Sequence, residues 1–393
     1  MRRLLPGERV VGTDGDDVIV SNGAQSVDAG DDLIYTTGSR PVPYGTAVVV
    51  LAGEGDDVLD STADTTAAAH LDAGPGSDRV LSGPARDLVS LTDDTLVGRG
   101  PDHVFVGTEG EPDTSRVEVG AGGSVTFRGL LPFRGVLRGE GAGWLHLDAA
   151  SWPEGSRRAV VDNRTGELRV DDEPVLAWTG FTGFRLRGPE SLRVSFRGGA
   201  AGERVVVSDA RWGSFDLGAG DDSLSLPSGP ATRRTITGGP GRDELSAYES
   251  GRSRTLVLDL DLGRLETVSG DERRLVARPT GFEDASLQAW SMRLHGTSGA
   301  NRLQWWGCRG GIDAGRGGDV VTWTDPDGPV CGRNADIAVR GGRGDDHLVG
   351  GYHADRLYGG RGRDVAEGGG APTWGADTCV AEVRVDCVRR PQT

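Results

Sequence analysis

The chain has 393 residues, 59 acidic against 43 basic, for a formal charge of −16. That balance makes it a poor partner for nucleic acid or an anionic membrane, and no apolar run is long enough to span a bilayer. Glycine reaches 65 residues while hydrophobic residues reach only 36%, which fits a narrow-cored, turn-rich solenoid, and the regular Val/Leu/Ile clusters argue against disorder.

Met1-Arg2-Arg3-Leu4-Leu5 begins like the basic part of a signal region, but Pro6-Gly7-Glu8-Arg9 follows in place of an apolar segment. The expectation is a leader absent from this sequence, or export without an N-terminal signal. All basic residues other than histidine are arginine, which bears on coding bias more than on mechanism.

A Gly-x-Gly-x-Asp turn then recurs: Gly53/Gly55/Asp57, Gly74/Gly76/Asp78, Gly98/Gly100/Asp102, Gly218/Gly220/Asp222, Gly239/Gly241/Asp243 and Gly315/Gly317/Asp319. Degenerate copies end at Asp17 and Asp32. Two places after each full copy stands an apolar residue, namely Leu59, Val80, Val104, Leu224, Leu245 and Val321. That position starts a strand with alternating faces. Neighbouring aspartates such as Asp57 and Asp78, or Asp319 and Asp346, lie 21 to 27 residues apart. The spacing predicts an all-β fold: a right-handed parallel β-helix, a single-stranded solenoid of roughly 20–27 residues per coil. Three short strands and three turns would make up each coil.

Three stretches follow from the turns. Residues 1–107 read as N-terminal acidic-turn coils. Residues 108–207 lack the acidic turn and read as coils with other turns or as a β insertion, with Asn163-Arg164-Thr165-Gly166 a hairpin-like turn. Residues 208–393 read as the C-terminal acidic-turn solenoid. A longer repeat spans the last two: VDNRTGEL at Val161 echoes LDLGRLET at Leu258, and Thr179-Gly180-Phe181 echoes Thr280-Gly281-Phe282.

Gly341 to Glu367 reads GGRGDDHLV, GGYHADRLY, GGRGRDVAE, three nine-residue units in phase. This stretch resembles the nonapeptide of RTX, or hemolysin-type, calcium-binding repeats. The segment GFEDASLQAWSMRLHGTSGANRLQWWG is similar to those preceding such arrays in bacterial RTX proteins. The resemblance implies a short β-roll at the C-terminal end and Ca2+ as the bound ion. Aspartate supplies the hard oxygen that calcium takes, and glycine brings carbonyls close. Asp346 and Asp364, 18 residues apart, should stack on one side. The leading metal site is therefore Gly342, Gly344 and Asp346 with Gly360, Gly362 and Asp364. Asp355 follows a turn where His353 replaces a glycine, which weakens it. Asp319, Asp222, Asp243, Asp57 and Asp78 are further candidate ligands. The bland alternative is an ordinary Gly-Asp surface turn.

The four cysteines form local pairs, Cys308 with Cys331 and Cys379 with Cys387, expected as disulfides in an oxidising compartment. Residues one coil apart sit about 4.8 Å apart, within disulfide reach, so the first pair should staple adjacent coils. The second should close a loop over the last coil. His103 and His347 each follow a turn aspartate and read as turn side chains. Trp305 and Trp306 must face opposite ways in a strand, which leaves one available to stack on a sugar. Neither H-E-x-x-H nor G-x-S-x-G occurs, and Asp259, Asp261 and Arg264 single out no catalytic set. The expected function is a secreted or cell-surface calcium-binding β-solenoid, not an enzyme, whose folding is coupled to calcium. Its role would be structural or adhesive, toward surface polysaccharide or another protein. The alternative is a carbohydrate-active β-helix, a polysaccharide lyase or hydrolase stabilised by calcium.

Overall fold

The computed structural model describes residues 10–21, 25–26, 29–36, 48–63, 68–107, 113–148, 151–209, 211–227, 234–324, 331, 336–351, 354–369 and 377–387. The leader-like start and His353 lie outside them. Every regular element is a strand, and the chain divides into two compact units. The first is Met1–Ser195 with Ser208–Ala210, the second Phe196–Val207 with Arg211–Thr393.

Each unit is a parallel β-solenoid, and outside two antiparallel excursions most strands pair with the next but one. A coil therefore contributes two strands, not the expected three. The coil length varies in the connecting segments instead: one lap takes 15 residues from Val89 to Val104 and 27 from Val320 to His347.

In the first unit the inward positions line up without register error. Ile34, Leu59, Val80, Leu96, Val117 and Leu137 are successive partners, all buried. Val50, Leu71, Val89, Val104 and Val125 form the second column. Alternation with period two sends one set of side chains inward and the next to solvent. Each inward Val or Leu stabilises by about 1.5–3 kcal/mol on burial, and a one-residue slip would turn the column to water.

The second unit repeats the plan. Val205, Leu224, Leu245, Ala285, Leu303, Val321, Leu348 and Ala366 form one buried column. From Leu224 on, all but Ala285 and Leu303 stand two places after a turn aspartate. Its last partner is Arg384, an exposed charge that ends the apolar run.

The hundred-residue echo has a structural counterpart. In the first unit Arg158–Asp162, Glu167–Val170 and the start of Glu173–Arg187 make an antiparallel excursion. Thr255–Asp259, Arg264–Ser269 and Glu272–Thr280 make another in the second unit. Both return to the parallel wall.

Candidate metal centre

The turns stack so closely that they admit only glycine. Gly342 and Gly344 have φ of 114° and 126°, Gly360 and Gly362 of 120° and 146°, which L side chains avoid. A Cβ on Gly360 would overlap the Gly342 carbonyl oxygen, and one on Gly362 the Gly344 carbonyl oxygen. Each glycine thus faces a carbonyl of the coil before.

The aspartate that closes each turn points inward and is buried: Asp319 is 1% exposed, Asp346 2% and Asp364 1%. Its Oδ1 accepts the backbone N–H of the equivalent residue one coil earlier. Asn301 N–H donates to Asp319 at 2.8 Å, Asp319 to Asp346 at 2.8 Å, and Asp346 to Asp364 at 3.0 Å. Glu382 ends the series, accepting from Asp364 N–H at 2.8 Å. A second series in this unit runs Glu203, Asp222, Asp243, Glu283. In the first unit the series is Asp17, Asp32, Asp57, Asp78, Asp94.

An outer ladder runs the opposite way where the preceding residue is also acidic. Asp345 Oδ1 accepts Arg363 N–H at 2.8 Å, and Asp56 Oδ1 accepts Ser77 N–H at 2.9 Å. These outer carboxylates are exposed.

The inner carboxylates leave one oxygen without a partner. Oδ2 of Asp32, Asp57, Asp78, Asp222, Asp243, Asp319, Asp346 and Asp364 is buried and accepts no hydrogen bond. In three turns it points at the glycine that opens the unit: a Cβ on Gly238 would meet Asp243 Oδ2, one on Gly341 would meet Asp346 Oδ2, and one on Gly359 would meet Asp364 Oδ2. An orphaned buried carboxylate oxygen costs free energy that a cation or a proton removes. Burial pushes Asp57 up to about 6, Asp319 up to about 7 and Asp346 up to about 6, against an amide hydrogen bond that favours the anion. Facing carboxylates push them further the same way. Asp78, Asp222 and Asp243 are also raised, by burial first.

These features fit a hard divalent cation. The donors on offer are oxygen only, backbone carbonyls and carboxylates, which is the kind calcium takes. Among the described residues no three or more His, Cys, Asp or Glu side chains converge. Calcium held here would therefore take backbone carbonyls or water for most of its shell.

Some candidates stand apart. Asp355 is on a different series, its N–H donating to Asp377 at 2.8 Å while its Oδ2 accepts Gly351 N–H at 2.7 Å. Asp102 is not the coil neighbour of Asp78, as the spacing suggests. Asp94, in a glycine-free Thr-Asp-Asp turn, takes that place, and Asp102 accepts from Asp87 N–H at 2.9 Å. His103 lies 2.9 Å from Ser124 Oγ, and His347 lies 2.8 Å from Glu367 Oε1, both structural contacts. Asn301, Glu283 and Glu382 escape a search for Gly-x-Gly-x-Asp. The 18-residue lap counted back from Asp319 and forward from Asp364 lands on Asn301 and Glu382.

Sulfurs of Cys308 and Cys331 are bonded with Cα atoms 5.2 Å apart, and those of Cys379 and Cys387 with Cα atoms 5.9 Å apart.

Residues 338–366 match the family model described as RTX calcium-binding nonapeptide repeat (4 copies). That span contains two of the three turns in which the opening glycine faces an orphaned oxygen, those of Asp346 and Asp364; the Asp243 turn lies outside it. No curated protein matches the chain.

Proposed function

We propose that this protein is a secreted or cell-surface β-solenoid with a structural or adhesive role, whose folding is coupled to calcium. The observation that carries it is the stack of buried carboxylates with unpartnered Oδ2 atoms inside the matched repeat. Gly342, Gly344, Asp346, Gly360, Gly362 and Asp364 would hold the ion at the C-terminal end. Asp319, Asp222, Asp243, Asp57 and Asp78 sit in equivalent turns and would extend the same chemistry to other coils. The ion would supply positive charge to oxygens that have none nearby. Two disulfides support an oxidising location, and no helix is long and apolar enough to cross a membrane among the described residues. Thermal unfolding in chelator and in millimolar calcium tests the reading. The melting temperature should fall in chelator and recover with calcium, and an identical melt in both would sink it.

A second reading, a carbohydrate-active β-helix, is favoured by one groove. Tyr248, Gln288 and Trp306 are successive outward partners, and with Trp290 and Arg252 they line a cavity of about 500 Å3. The Arg252 guanidinium lies 4.4 Å over the Trp290 ring. Trp305 is buried and Trp306 half-exposed, as the strand alternation requires. Glu249 is the one carboxylate lining the groove, whereas glycoside hydrolysis ordinarily needs two. The groove supports sugar contact more than sugar cleavage. Trp306→Ala should abolish any quenching of tryptophan fluorescence by an oligosaccharide such as cellohexaose; quenching that persists removes this site.

A further inference from the structure

The third residue of the nonapeptide is free to vary, because its side chain leaves the turn toward solvent. In three consecutive coils of the second unit it is arginine. Arg316 partners Arg343, and Arg343 partners Arg361, so three guanidinium-bearing positions stand one above another at about the 4.8 Å strand repeat. All three are exposed. Among the described residues none of them has an ion pair or a side-chain hydrogen bond. Like charges directly opposite on neighbouring strands destabilise a sheet. In a chain with 59 acidic residues, a column of three unpaired arginines is a feature that needs a counter-charge.

These arginines line a cavity of about 580 Å3 together with His295, Ser298 and Asp261. Arginine recognises planar or tetrahedral oxyanions through paired N–H donors. A line of three at regular spacing fits an extended chain with repeated oxyanions better than one small ion. Asp261 narrows the class further. It offers only acceptors, which a polyphosphate backbone cannot satisfy and would be repelled by. A sugar chain brings hydroxyl donors to Asp261 and acceptors to Ser298 and His295. The acidic surface beyond is screened within about 8–10 Å at physiological salt, so local charge decides. Three arginines are also too small a basic patch for nucleic acid, which calls for an extended one.

We propose that the Arg316–Arg343–Arg361 column with Asp261 is a binding site for an acidic polysaccharide, one bearing sulfate or carboxylate groups along the chain. The site uses no metal ligand side chain. It gives the adhesive reading a partner, and it uses arginine side chains where the proposed calcium turn would use backbone carbonyls, although Gly342 of that turn also lines the cavity.

The test is calorimetric titration of the full-length protein, in calcium, with dextran sulfate, neutral dextran and sodium sulfate. Dextran sulfate should bind and neutral dextran should not. Arg343→Gln should weaken binding by about tenfold or more, since it removes a charge-assisted contact. Arg99→Gln, at the same turn place in the first unit, should leave affinity unchanged. In the absence of glycan the melting temperature of Arg343→Gln should be no lower than that of the parent, which separates lost contact from lost fold. Binding that Arg343→Gln leaves intact would overturn the site. Sodium sulfate binding as tightly per sulfate as the polymer would reduce it to a simple ion site. Duplex DNA binding as tightly at equal charge would overturn the glycan assignment.

Discussion

Asp346→Asn separates the charge of an inner carboxylate from its hydrogen bond. Asparagine keeps an oxygen for the Asp319 N–H, now accepted at 2.8 Å, and replaces one orphaned buried atom with another. What it removes is the ionisation. Aspartate titrates near 3.8 when unfolded, and burial raises Asp346 to about 6 in the fold. The folded state therefore holds its proton more tightly. Its contribution is fully present below about pH 4 and is lost as pH rises through about 6. At 1.36 kcal/mol for each pKa unit, the difference is at most about 3 kcal/mol. Calcium opposes the loss: at about 10 mM and a Kd of 10⁻⁴–10⁻³ M, one site stabilises by about 1.4–2.7 kcal/mol. Urea unfolding of parent and variant at pH 4 and 7.5, with chelator and with calcium, reads both quantities. In chelator the parent should lose more stability between the two pH values than the variant, by up to that amount. In calcium the variant should forgo one site's gain. Parallel pH curves together with equal calcium gains would refute both the buried charge and its role as a ligand.

Asp364→Ala should lower the calcium stoichiometry measured by equilibrium dialysis. It should also cost about 1–3 kcal/mol, because the buried Asp346 N–H loses its acceptor; unchanged stoichiometry would show the wrong ligand. Gly344→Ala forces a side chain into φ of 126° and against the Gly317 carbonyl, and should cost at least about 1–3 kcal/mol, read as a lower melting temperature. Replacing Cys308 and Cys331 together by serine should cost about 2–4 kcal/mol in urea unfolding. An unchanged midpoint would mean that this staple does not constrain the unfolded chain.

The solenoid was legible because its two determinants are local. Glycine is required where a carbonyl of the previous coil presses on the Cα, as at Gly342 and Gly344, and an apolar residue is required two places after the aspartate. Both leave fixed letters at fixed offsets. The number of strands per coil was not legible, since an added residue between strands looks the same in sequence whether it belongs to a loop or to a third strand. Asp94 was missed for a related reason. Its turn accepts hydrogen bonds from Thr92 and Asp78 N–H without any glycine, so the ladder continues where the motif does not. Glu283 and Glu382 close ladders with a longer carboxylate, and only the coil phase, never the motif, points to such ends. The antiparallel excursions showed as an echo in sequence because each must return to the same wall.

The two oxygens of each inner aspartate divide the work of the turn. Oδ1 takes an amide proton from the neighbouring coil and fixes the stacking distance, and it does so whatever else is bound. Oδ2 of Asp32, Asp57, Asp78, Asp222, Asp243, Asp319, Asp346 and Asp364 has no such partner, so a proton or a cation is what would satisfy it. At mildly acid pH the proton serves. Raised pKa values hold the proton on Asp57, Asp319 and Asp346 well above the usual carboxylate range, but it is lost as pH rises through about 6 to 7, and on the proposed reading calcium then takes over. A compartment that is neutral and poor in calcium satisfies neither condition, so there the fold is at its weakest. One that is oxidising and rich in calcium satisfies the carboxylates and permits the Cys308–Cys331 bridge, whose 23-residue span includes Asp319.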